Sequence, residues 1–161
     1  MNDEQTSVIP LAFSSLLFFI PGLQALRYQV YDLSIIYLIS GTVSCYYWAT
    51  LDHNALILDK LCANVNLAYS FYKGCIFYKS TEEIVISSFF LSVTIYLYIY
   101  SCYLFELQDN GSAEEIDVWI IYHIFFHVNC AILKGVLVGK TSKVYPTGSL
   151  PYDSFPLSKL V

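Results

Sequence analysis

Charge is what this chain lacks. Its 161 residues include 8 Lys and Arg, 13 Asp and Glu and 3 His, and charged residues make up only 13 %. Soluble domains carry about 25 %. With hydrophobic residues at 57 % and a mean hydropathy of +0.55, a water-soluble chain of this length could not hide its apolar surface. No basic cluster is present, which argues against nucleic acid as a partner. The net charge of −5 comes from acids gathered in a few loops and reads as loop composition. CxxC spacing is missing too. The five cysteines, Cys45, Cys62, Cys75, Cys102 and Cys130, lie in or beside apolar runs, so neither a disulfide framework nor a zinc knuckle is expected. Their simplest role is packing. A G-x-S-x-G elbow, a P-loop, a dinucleotide fingerprint and an internal repeat are absent as well.

Long apolar runs are what the chain has. A spanning helix needs about 20 such residues. Runs of that length lie at about 8–26, 29–51, 55–77, 83–105 and 118–139, the third being the most polar. Runs this long without alternation favour helices over strands. The expected fold is therefore all-α: a multi-pass transmembrane helix bundle over 1–139 with about five spanning helices, followed by an irregular tail over 140–161 that contains Pro146, Pro151 and Pro156. The segment "MNDEQTS" before the first run is acidic where a signal peptide is basic, so 8–26 reads as a retained helix, kinked or ended near Pro21.

Five crossings place the turn at 52–54 and the loop at 106–117 on the same side as the N-terminus. Arg27, Lys73, Lys79, Lys134, Lys140 and Lys143 then lie near the other side, against Lys60 on the first. The positive-inside rule makes the lysine-rich side cytosolic, with the N-terminus lumenal or extracellular and the C-terminus cytosolic. This fits a secretory-pathway or plasma membrane. The sequon at Asn110, "NGS", falls on the non-cytosolic side, where glycosylation occurs.

Polar residues gather near that side. The stretch "SCYYWATLDHNALILD" (44–59) holds Ser44, Asp52, His53 and Asp59, and "HIFFH" holds His123 and His127. At about 1.5 Å rise per residue, Asp59 and His123 come within roughly 10 Å of the same membrane face. The four-residue spacing of His123 and His127 puts both rings on one helix face, a geometry that suits one zinc ion. His53 is the available third ligand. Asp59 is the carboxylate that orients or deprotonates a metal-bound water, and polar groups inside a bilayer are costly enough to mark function. Against this stands a simpler role, in which the histidines hydrogen-bond neighbouring helices. Asp52 reads as a solvated turn residue, and Asp32 as interfacial at the opposite side. Lys73 and Lys134 are expected to snorkel towards the cytosol. Tyr46, Tyr47, Trp48 and Trp119 suit an aromatic belt, and Asn64, Asn66 and Asn129 suit interhelical hydrogen bonds.

This constellation resembles the CREST superfamily of membrane hydrolases, which includes alkaline ceramidases, progestin and adipoQ receptors and GPI-lipid-remodelling proteins. Ser44 matches its serine at the end of the second helix, Asp59 its aspartate early in the third, and His123 with His127 its terminal HxxxH. The resemblance implies zinc held by three histidines, with the Asp and Ser assisting the bound water or the oxyanion. It covers little more than 44–59 and 123–127. One turn after Ser44 the family has a histidine and this chain has Trp48; the family has seven helices and this chain about five. Two functions therefore stay open. One is a zinc-dependent amide or ester hydrolase acting on a membrane lipid at the non-cytosolic leaflet, with His123, His127 and His53 on the metal, Asp59 as general base and Ser44 as oxyanion donor. The other is a non-catalytic multi-pass protein that assembles with other membrane proteins. A transporter has little support without repeat symmetry.

Overall fold

The computed structural model describes residues 3–109 and 118–144, with side chains over 9–107 and 118–143. Every element among them is helical: α1 (Asp3–Ser15), a 3-10 turn (Leu16–Phe18), α2 (Phe19–Arg27), α3 (Tyr31–Thr50), α4 (His53–Phe77), α5 (Thr81–Asp109) and α6 (Val118–Val144). The all-helical expectation holds. Three stretches, Ile9–Arg27, Thr81–Leu107 and Val118–Lys143, are long and apolar enough to cross a membrane. The helix expected over 118–139 continues to Val144, and 145–161 lies outside the described residues, as does Asn110.

Local chemistry explains the boundaries. Pro10 lies inside α1 rather than at its start, and the helix passes Pro21 on its way to Arg27. Pro21 offers no N–H and crowds the carbonyl four residues before it, and the 3-10 turn sits at that place. After α2 the chain reverses through a Schellman motif. Gln29 takes a left-handed φ of 60°, its N–H reaches Leu26 O at 3.0 Å, and Val30 N–H reaches Ala25 O at 2.9 Å. Val30 and Ala25 then join one apolar cluster with Leu33, Tyr37, Leu137 and Val138.

The α3–α4 turn is just as tight. Leu51 caps α3 with φ 54°, and Asp52 caps α4 by accepting from Ala55 N–H at 2.8 Å. Asp52 is thus a helix cap as well as a solvated turn residue. The left-handed conformation costs Leu51 about 1–2 kcal/mol. Its side chain packs against the cluster of Leu11, Trp48, Trp119 and Ile120, which offsets that cost.

Helix α3 is central, packing on α1, α2 and α4, while α6 closes the other side against α1, α2, α4 and α5. The inward stripe of α3 is Leu33, Ser34, Tyr37, Ser40, Gly41, Ser44 and Trp48, a helical spacing in which serines alternate with large rings. Hydrogen bonds stitch that stripe to its neighbours. Ser34 donates to Gly22 O at 2.9 Å, Asn66 donates to Ser40 at 3.0 Å, and Ser70 links Asn66 to the Tyr37 hydroxyl. Helices α5 and α6 are joined by Asn129, which donates to Thr94 Oγ1 at 2.6 Å and Phe90 O at 2.9 Å. Asn66 and Asn129 are interhelical as expected. Asn64 is not: it is exposed and turns back to Lys60 O on its own helix.

The end of the bundle away from the histidines carries ion pairs. Lys73 meets Asp32 at 2.5 Å, Tyr69 donates to the same carboxylate at 2.5 Å, and Lys140 pairs with Glu83. An open apolar groove of about 380 Å³ separates α4 from α5, lined by Asn64, Leu67, Ala68, Phe71, Leu91 and Ile95.

Because Asn129 is the buried mid-helix tie from α6 to both Thr94 and Phe90 of α5, Asn129→Ala is expected to weaken the bundle by about 1 kcal/mol. Thermal unfolding in detergent should show a lower midpoint. An unchanged midpoint would mean that apolar packing and the remaining polar contacts, Glu83 with Lys140 and Ser101 with His123, hold α5 without it.

Candidate functional site

The polar residues of the interior form one layer where α1, α3, α4, α5 and α6 meet. Helix α1 supplies the adjacent Ser14 and Ser15, both buried. Ser14 Oγ lies 2.7 Å from His127 Nδ1, and Ser15 Oγ lies 3.0 Å from Ser44 Oγ. Asp59 of α4 lies near Ser44. His123 Nδ1 lies 3.2 Å from Ser101 Oγ of α5. The two imidazoles stand edge to face with centroids 4.8 Å apart. Of the residues singled out in the sequence, Ser44, Asp59, His123 and His127 are therefore brought into one layer. His53 stands apart, exposed as the first residue of α4.

Each imidazole meets a flanking serine through Nδ1. Ser101 Oγ also lies 2.8 Å from Tyr98 O, and Ser14 Oγ and Ser15 Oγ lie 3.0 Å and 2.9 Å from Leu11 O. Nε2 is the remaining nitrogen of each ring.

Aromatic side chains wall the layer. Trp48 meets His123 at 5.2 Å with planes 72° apart, and Phe18 meets His127 at 4.9 Å. Trp48 and Trp119 are only 9 % and 7 % exposed, so neither belongs to an outward aromatic belt; Tyr46 alone among the four faces outward at 57 %. The reason is the helical stripe, which puts residue 48 one turn from Ser44 on the inner face of α3. The indole Nε1 of Trp48 is buried without an acceptor among the described residues.

Lys134 also departs from expectation. It does not reach for the membrane surface. Its ammonium lies 4.0 Å from the Phe18 ring centroid and 5.2 Å from that of Tyr37, inside the bundle. Helical side chains lean towards the N-terminus of their helix, which aims this one back at the histidines two turns earlier. Ring faces attract the cation, and Asp59 is the carboxylate whose charge it feels. Cations of this kind are costly in hydrocarbon unless paired.

Reading along the chain missed Ser14, Ser15, Ser101 and Lys134. Lys134 carried a signal, since it stands seven residues after His127 on the same face. The serines carried none, because single hydroxyls are ordinary in spanning helices.

Three imidazoles on one ion are not found here. Among the described residues, no group of three or more His, Cys, Asp or Glu is arranged to hold a metal ion. The pair of histidines fits two coordination positions, and a catalytic zinc takes three protein ligands. The donor set in this conformation does not complete the centre.

If Asp59 and Lys134 compensate each other, Asp59→Asn and Lys134→Met should each lower the unfolding midpoint in detergent, and the double variant should recover part of the loss. The expected coupling is about 1–3 kcal/mol. Strictly additive losses would show that the two charges do not interact. Comparison with protein-family models, with curated proteins and with solved structures finds no match to this chain.

Proposed function

We propose that this chain is an integral multi-pass membrane protein with five crossings, its N-terminus non-cytosolic and its C-terminus cytosolic. It is a shortened relative of the CREST-type hydrolases in which the polar layer serves structure and assembly in place of catalysis. The observation that carries this reading is Trp48. An indole, not an imidazole, faces His123 from α3, while His53 is turned out at the head of α4. The five helical rods match the five apolar runs closely, and the antiparallel alternation they impose puts the ion pairs of Asp32, Lys73, Glu83 and Lys140 at one end. That end is the lysine-rich, cytosolic one.

Assembly with another membrane protein is supported by α5. Its main packing partner is α6, and it presents Phe89, Tyr96, Ile99 and Tyr103 outward, each more than half exposed. Phenol hydroxyls along such a face are better served by a neighbouring helix than by lipid tails.

A second reading has its own observation. Ser44, Asp59, His123 and His127 share one layer, and the apolar groove between α4 and α5 opens sideways to where a lipid chain would lie. A zinc-dependent lipid amide or ester hydrolase would use that arrangement if a rotation of the α3–α4 turn brought His53 inward as third ligand. The zinc would then supply the activated water, Asp59 the base and Ser44 an oxyanion contact.

Metal analysis of the detergent-purified full chain separates the two. Less than about 0.1 zinc per chain is expected on the first reading, because two imidazoles fall one ligand short. Stoichiometric zinc that disappears in His53→Ala and in His127→Ala would establish the second. The crossings are checked by cysteine accessibility in sealed vesicles on a cysteine-free background: a cysteine at position 53 should react from the non-cytosolic face and one at position 79 from the cytosolic face. Labelling of both from the same face would remove the five-span topology.

A further inference from the structure

We propose that Trp48 stands in the third coordination position over the histidine pair, so that an indole together with the ammonium of Lys134 takes the place a metal ion would fill. The inference rests on the metal-free reading above and goes beyond it by naming the residues that keep the ion out.

Three features of the layer meet at this point. The first is direction. Both imidazoles are engaged through Nδ1 by serines of flanking helices, Ser101 from α5 and Ser14 from α1, which leaves Nε2 of each ring for the remaining neighbours. Such outer hydrogen bonds are what orient histidines that bind metals. The second is occupancy. The ring that closes on His123 from α3 is Trp48, at 5.2 Å, and its position one turn from Ser44 fixes it there. An indole is an imidazole-sized ring with a second ring fused beyond it. A histidine on the same backbone would end short of that outer ring and leave room for an ion between three nitrogens. Consistent with a volume-filling role, the Trp48 N–H has no acceptor among the described residues, although leaving such a bond unmade is unfavourable.

Charge is the third feature. A metal centre would bring positive charge to balance Asp59. Here Lys134 brings it, from the same face of α6 that carries His127, with its ammonium over Phe18, the ring that also meets His127. The layer is therefore closed sterically and balanced electrically by its own side chains.

The test is Trp48→His in the full chain, purified in detergent and equilibrated with zinc. Bound zinc should rise from under about 0.1 to about one per chain, and cobalt(II) in its place should give the visible absorption of a tetrahedral site. The gain should vanish in Trp48→His/His123→Ala. It should be tighter in Trp48→His/Lys134→Met, where the competing cation is gone. Trp48→Phe should stay monodisperse and metal-free. A folded Trp48→His chain that binds no zinc overturns the inference and leaves the metal-free reading standing. Stoichiometric zinc in the unaltered chain overturns that reading itself. Should Trp48→His fail to fold, Trp48→Ala opens a cavity that free imidazole can enter as third ligand. Zinc uptake that requires imidazole then supports the inference, and its absence overturns it.

Discussion

Lipid tails offer no hydrogen bonds, and that single constraint decides how these helices meet. The three serines along the inner face of α3 each meet a different neighbour: Ser34 meets α2, Ser40 meets α4 and Ser44 meets α1. The serines are small, so the helices come close, and each hydroxyl also fixes the rotation of the helix it touches. Apolar packing could not do this alone, because a leucine facing a leucine is no better than a leucine facing lipid. The polar residues thus specify the arrangement, while the large rings between them fill it.

The same constraint makes the histidine layer informative. Two imidazoles, a carboxyl and an ammonium within one cross-section are far more than helix pairing requires, and each is costly in isolation. A bundle that merely needed to hold together could use Asn129 and Thr94, as α5 and α6 do. Other side chains of the layer surround the imidazoles: Trp48 closes on His123, and the Lys134 ammonium lies over Phe18, the ring that meets His127.

How much of this was legible in the sequence follows from which patterns have a period. The helices were legible to within a few residues, because a run of apolar residues in a chain this poor in charge has few alternatives. That Ser44, Asp59, His123 and His127 share one layer was legible too, since helices running back and forth fix level from residue count alone. Rotation was harder. Whether Trp48 faces lipid or core depends on which stripe of α3 is inward, and tryptophan suits both a belt and an interior. Lys134 was misplaced for a related reason. Snorkelling assumes that the nearest water is the best solvent for an ammonium, but two ring faces and a carboxylate inside the bundle compete with it. His53 was drawn in by sequence distance, whereas its place at the head of α4, next to the capping Asp52, turns it outward.

Trp48 shows how a ring can close such a layer. Ser44, His123 and His127 are each held by hydroxyl contacts, serine to serine and serine to imidazole. Trp48 has no such contact, since its N–H meets no acceptor among the described residues. It is held by packing instead, its rings buried against Leu11, Trp119 and Ile120 and edge-on to His123. Beside the polar groups of the layer, this large apolar ring is kept in place by shape alone.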